Sequence, residues 1–160
     1  MILAQPTVYL ETTIISYLAA RPSRDLIVAA HQQVTREWWE GQRQRYALFV
    51  SELVVREASG GDAEAAARRL DIMHGLPLLD LSTEARDLSE AILTAGLVPS
   101  RYAEDAVHIA LAARHGMDFL LTWNCAHLAN PTIRRNLELY LMRRHLRPPI
   151  ICTPVDMLEE

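Results

Sequence analysis

Along the chain, short apolar runs alternate with longer stretches in which apolar residues recur every three or four positions. Five runs have the length of a buried strand: residues 7–10, 46–50, 76–81, 119–123 and 150–152. Most are rich in β-branched or aromatic residues, which suit a pleated surface covered on both sides. Pro77 interrupts the third run, and proline cannot donate to a ladder, so this is the weakest strand. Between the runs, Ile27, Ala30, Val34 and Trp38 form a helical stripe. Ala63, Ala66, Leu70 and Met73 form a second, and Ala85, Leu88, Ile92 and Ala95 a third. Ile133, Leu137 and Tyr140 complete the set. Residues 106–113 are apolar almost all round, the pattern of a helix packed inside the protein. Ser23, Ser82, Ser100 and Thr153 mark helix starts, the last with Pro154 at the first helical position. Gly60 with Gly61, Gly96 and Gly116 mark stops.

Strands alternating with helices predict an α/β protein with a mainly parallel central sheet and helices on both faces, a three-layer α/β/α arrangement. No linker, repeat or shift of composition divides the sequence, so residues 1–160 read as one domain. A chain of 160 residues buries roughly 70% of its unfolded surface and needs no disulfides. Pockets in such folds lie at the carboxyl ends of the strands.

Those strand ends carry acids. Glu11, Thr12 and Thr13 follow the first run, and a helix beginning near Ser51 carries Glu52 and Glu57 after the second. Glu104 and Asp105 open the apolar helix, and Thr122, Trp123 and Asn124 end the fourth run. No phosphate loop, GxGxxG or serine–histidine pair accompanies them. Carboxylates without a base suit a hard divalent cation, because Mg²⁺ takes oxygen ligands and keeps several waters. Such a cation polarises a phosphoryl oxygen and activates water for in-line displacement.

The candidates differ in weight. A charge directly after a strand that must be buried is unusual, which puts Glu11 first. The helix dipole explains Glu52. Glu57 lies five positions on, about 140° further round, so the two share no face and spacing leaves both open. Asp105 leads into the apolar stretch and sits nearer the buried side than Glu104. His108, one turn on, reads as a hydrogen-bonded core histidine. Asn124 accepts through its amide oxygen without charge and serves a turn or a site. Thr12 and Thr122 either orient a carboxylate or end strands; His127 and Asn130 are weaker candidates, and Cys125 reads as packing.

Net charge is −4, which argues against a purely electrostatic nucleic-acid binder. The distribution changes that picture. All sixteen basic residues are arginine, and from Arg101 to Arg147 seven of them face four acids. From Leu53 to Leu93 eight acids face four arginines. A basic C-terminal third beside an acidic middle fits a carboxylate site serving a phosphate substrate. By sequence proximity, Arg56, Arg101 and Arg134 are candidates for holding flanking phosphates. Cys125 and Cys152 form no CxxC, so a reduced cytoplasmic setting is expected. The opening Met1, Ile2 and Leu3 carry no basic segment, so no leader is expected, and no apolar run approaches the ~18 residues of a membrane span. Trp38 continues its stripe, while its neighbour Trp39 either anchors a partner contact or packs on an adjacent helix.

The motifs resemble those of PIN domains. Val8-Tyr9-Leu10-Glu11-Thr12-Thr13 is similar to the family's opening strand and first acid. The segment from Ser51 to Asp62 resembles the one bearing the second acid, with Glu57 at the matching position. Asp105-Ala106-Val107-His108 resembles the third-acid helix, and Phe119-Leu120-Leu121-Thr122-Trp123-Asn124 the strand leading to the fourth position. Size and order are most similar to VapC-type toxins of type II toxin–antitoxin systems. The resemblance implies an endoribonuclease dependent on Mg²⁺ or Mn²⁺, held inactive by a cognate antitoxin and commonly dimeric. It implies Glu11, Glu57 and Asp105 as metal ligands, Asn124 orienting a water or the substrate, and Thr12 and Thr122 positioning carboxylates. Two positions depart from the pattern: Glu11 and Asn124 stand where the family usually has aspartate. Alternatives are a catalytically weakened module serving as a binding or regulatory partner, and a DNA-directed nuclease.

Overall fold

The computed structural model describes residues 4–159; Met1, Ile2, Leu3 and Glu160 lie outside them. At the centre is β1 (Thr7–Leu10), flanked on one side by β2 (Ala47–Ser51) and β3 (Leu78–Leu79) and on the other by β4 (Phe119–Leu121) and β5 (Ile150–Cys152). All four pairings are parallel, with Tyr9 opposite both Phe49 and Leu120. Val8, Tyr9 and Leu10 are wholly buried. Helices cover both faces of β1, so its apolar residues are consecutive rather than alternating.

The helices are α1 (Thr12–Ala19), α2 (Leu26–Gln42), α3 (Glu52–Ala58), α4 (Ala63–Met73), α5 (Thr83–Thr94), α6 (Ala103–Arg114), α7 (Pro131–Arg143) and α8 (Pro154–Met157). The strand order reverses direction after β3. Right-handed crossovers therefore put α1–α4 on one face and α5–α7 on the other. Accordingly α1 packs on α2, α3 and α4, α8 joins α2, and α5 packs on α6. This is the expected three-layer α/β/α arrangement, with a sheet that is parallel throughout. Helix α6 is the buried one: residues 108–113 are all inaccessible to solvent or nearly so. Gly96 and Gly116 end α5 and α6 with φ of 70° and 67°, a backbone that side-chain-bearing residues adopt only with strain.

Several local expectations are corrected. Helix α1 follows β1 directly, with Glu11 as its N-cap, where no helix was read. Ile27 and Ala30 are exposed; α2 buries Gln32, Thr35 and Trp38 instead. Its inner face is partly polar because Thr35 bonds to His31 and Trp123 and Gln32 bonds to the chain around Arg21 and Ser23. The cap of α2 is Asp25, which accepts from the amides of Ile27 and Val28, while Ser23 accepts from Asp25. Ser100 opens a 3₁₀ turn without a side-chain cap bond. Leu70 and Ala95 face outward, and Cys125 is exposed rather than packed. The third strand shrinks to Leu78–Leu79, starting just after Pro77. Trp39 is half-buried against the core with the Arg43 guanidinium 4.6 Å over its ring, the packing alternative. Among the described residues no helix is long and apolar enough to cross a membrane.

One polar tie closes the opposite end of the sheet. Thr7 donates its amide (2.8 Å) and hydroxyl (3.1 Å) to Asp118, whose other oxygen accepts from Arg147 (2.6 Å). The Thr7 amide bond, aided by Arg147, holds the Asp118 carboxyl below the usual aspartate range. A depressed folded pKa adds stability above the unfolded value of ~3.9, and that stability is lost as pH falls through the folded value. Asp118→Ala should cost about 1–2 kcal/mol in urea denaturation at neutral pH. The gap from wild type should narrow as the pH drops below 4. Equal stabilities at neutral pH would contradict this tie.

Candidate functional site

The carboxyl edge of the sheet is where β1 faces β2 on one side and β4 on the other, the point at which the strand order reverses. Glu11 leaves β1 there, its amide donating to Leu121 of β4 (3.0 Å). Glu11 is 6% exposed. One oxygen, Oε2, accepts from the Thr13 amide (3.0 Å), the Thr13 hydroxyl (2.5 Å) and the Thr122 hydroxyl (2.9 Å). The other takes no hydrogen bond among the described residues. A buried carboxylate is stable only when so bonded. The Thr13 oxygen also accepts from the Trp123 amide (2.9 Å), and that of Thr122 from the Asn124 amide (3.0 Å). The loop after β4 is thereby fastened to the start of α1.

Glu57 comes from α3, on the α1 side of the sheet. Its Oε1 accepts from the Thr12 hydroxyl (2.8 Å) and lies 2.9 Å from Nε2 of His108, which comes from α6 on the other side. His108 is buried, and its Nδ1 lies 2.7 Å from the Tyr9 hydroxyl, which is 2.8 Å from Ser51. Burial disfavours the imidazolium, yet the Glu57 bond and the charges of Glu11, Glu57 and Asp105 outweigh it and raise the His108 pKa. Burial likewise pushes the Glu57 carboxyl up, but His108, Thr12 and Arg56 together bring it below the usual range. An imidazolium with both ring nitrogens donating, to Glu57 and to Tyr9, satisfies this chain of bonds.

Asp105, at the head of α6, is half-buried. Burial raises its carboxyl; His108 and His127 oppose the shift and the charges of Glu11 and Glu57 add to it. Nδ2 of Asn124 lies 3.4 Å from both Asp105 oxygens, and Nδ1 of His127 lies 3.6 Å from one. The Asn124 oxygen accepts from the His127 amide, which fixes which way the amide points. Asn124 thus presents a donor to Asp105.

Four elements from both layers therefore meet at one edge, bringing Glu11, Thr12, Glu57, Asp105, Thr122 and Asn124 together. Both glutamates on α3 are exposed, but only Glu57 has side-chain partners among the described residues. Asn130 stands apart as the cap of α7, and Arg134 donates to Ile151 on the free edge of β5 (2.7 Å) rather than facing the site. Sequence reading passed over Thr13, Tyr9 and Ser51. A hydroxyl two residues after an acid at a helix start was the available signal for Thr13. Among the described residues no three Asp, Glu, His or Cys side chains converge tightly enough to form a ready metal cage. No family model matches the chain, and no curated protein matches it.

The His108–Glu57 pair generates a test. Its contribution is complete below the ordinary imidazole value of ~6.5 and declines as pH rises through the higher folded value. It declines also as pH falls through the depressed value of Glu57. Wild type should lose thermal stability on the alkaline side, and His108→Leu should cost about 2 kcal/mol at pH 6 and flatten that decline. An unchanged alkaline limb would contradict the pairing.

Proposed function

We propose that the chain is a PIN-like, metal-dependent endoribonuclease that hydrolyses RNA phosphodiesters. We further propose that it is the toxin of a type II toxin–antitoxin pair, acting in the cytoplasm as a homodimer restrained by a cognate antitoxin. The toxin assignment rests on the motif resemblance. The nuclease assignment is carried by one observation: Glu11, Glu57 and Asp105, from β1, α3 and α6, gather at the switch point of the sheet, each held by neighbours.

The donor chemistry suits Mg²⁺ or Mn²⁺, which prefer carboxylate oxygens. Glu11, Glu57 and Asp105 would hold the cation, partly through its own waters, since the described residues form no ready cage and Mg²⁺ keeps several waters. When bound, the metal supplies charge for a phosphoryl oxygen and lowers the pKa of a water. The chain's own residues do the positioning. Thr13 and Thr122 fix Glu11 in one orientation, as outer-shell partners do. Thr12 and His108 keep Glu57 ionised and aimed. Asn124 steadies Asp105 without adding a further negative charge that would repel the phosphate.

The same Asn124 contact favours a second reading, in which the amide weakens metal binding and the protein serves as a partner module. Cleavage of a structured RNA with Mg²⁺ or Mn²⁺ decides between them. Asp105→Asn should lower the rate by at least about a hundredfold, the upper end for losing an outer-shell partner. Calorimetry with Mn²⁺ should show binding to wild type and none to the variant. Equal cleavage by both proteins would overturn the nuclease assignment, and no Mn²⁺ binding to wild type would favour the module.

A further inference from the structure

Two aromatic groups flank the acids; Trp123 and His127 touch the carboxylate network through their amides and His127 also through its ring beside Asp105, whereas the rings of Tyr17, His31 and Tyr102 bond to no carboxylate among the described residues. On the Glu11 side, the His31 ring lies flat on Trp123, with centroids 4.0 Å apart and planes 12° apart. Tyr17 sits beside both, at 6.4 Å and 6.2 Å. Trp123 is buried and fixed at two points: its indole N–H donates to Thr35 (2.7 Å) and its amide to Thr13 (2.9 Å). Tyr17 is one helical turn beyond Thr13, and both it and His31 remain half-exposed above the fixed indole. On the Asp105 side, Tyr102 and His127 have ring centroids 3.9 Å apart, and His127 is the residue that approaches Asp105. The guanidinium of exposed Arg101 lies 5.0 Å over the Tyr102 ring. The hydroxyls of Tyr17 and Tyr102 take no hydrogen bond among the described residues, so what the fold holds in place is the rings.

Core packing accounts for the inner faces of these rings. It does not account for half-open aromatic groups on both sides of one acidic edge. Aromatic rings beside a backbone-binding site are how proteins hold single-stranded nucleic acid, because every base offers a face to stack. Duplex RNA keeps its bases inside and offers none. We infer that Tyr17 with His31, and Tyr102 with His127, are two base-stacking platforms that select single-stranded RNA, with the scissile phosphate between two unstacked bases. Arg101 adds a cation beside the second platform. This inference rests on the nuclease reading and names its substrate class.

Fluorescence anisotropy with a labelled short single-stranded RNA, and with a blunt duplex of the same length, tests it on the full chain in the presence of Mn²⁺. Tyr17→Leu and Tyr102→Leu keep apolar bulk against the core and remove the ring; Tyr17→Phe and Tyr102→Phe restore it. Wild type should prefer the single strand. Each leucine variant should bind it about tenfold more weakly, with each phenylalanine variant within about twofold of wild type. Leucine variants that melt like wild type and bind like wild type would overturn the platforms, as would equal affinity for the duplex. Measuring cleavage in the same samples separates the two claims. Ring-dependent binding without cleavage supports the platforms and overturns the nuclease reading. Ring-independent cleavage of single strand and duplex alike does the reverse.

Discussion

Glu11 is a carboxylate at the end of the central strand with almost no access to water. An ion in that place is tolerable only if its oxygen is surrounded by donors, and three are supplied: two from Thr13 and one from Thr122. Those donors are not free to move. Thr13 also receives the Trp123 amide, and Thr122 the Asn124 amide. Satisfying one buried charge therefore sets the first turn of α1, the exit from β4 and the position of Asn124. Asn124 in turn reaches Asp105. The need to solvate Glu11 with protein groups organises much of the edge on which the proposed chemistry depends.

A second chain of bonds crosses the sheet at the same edge. Ser51 ends β2, Tyr9 lies in β1, His108 in α6 and Glu57 in α3, and they bond in that order. The two layers are thus locked together by polar contacts exactly where apolar packing gives out. Parallel strands expose unpaired backbone groups and converging helix ends at this edge, and side-chain bonds take over from the ladder there. The Glu57 bond and the nearby carboxylates favour protonation of His108 against its burial, and a proton there offsets part of the negative charge that three carboxylates concentrate. A divalent cation at the proposed site would act in the same direction.

Much of this was legible in the sequence because both faces of the sheet are covered. Full burial makes strands read as continuous apolar runs, and β1, β2, β4 and β5 were recognisable on that basis. Helix α1 was not. It begins one residue after a strand, and in 8 residues its Ile14, Ile15 and Leu18 make too short an apolar stripe to stand out. The face of α2 was misplaced because its buried positions include Gln32 and Thr35, polar residues bonded to the segment just before the helix and to Trp123. The same limit applied at the site. A carboxylate after a strand was conspicuous, so Glu11 stood out, whereas spacing gave no choice between Glu52 and Glu57. That choice depends on Thr12 and His108, residues 45 and 51 positions away.

Glu11, Glu57 and Asp105 are proposed to act as one cation site. Mn²⁺ added in small increments to isotope-labelled protein tests this most directly, because a paramagnetic ion broadens the amide signals nearest to it. The signals of Glu11, Glu57, Asp105 and Asn124 should broaden together and first. Broadening confined to other acids, such as Asp87 and Glu90 on α5, or none at the sheet edge, would contradict the shared site.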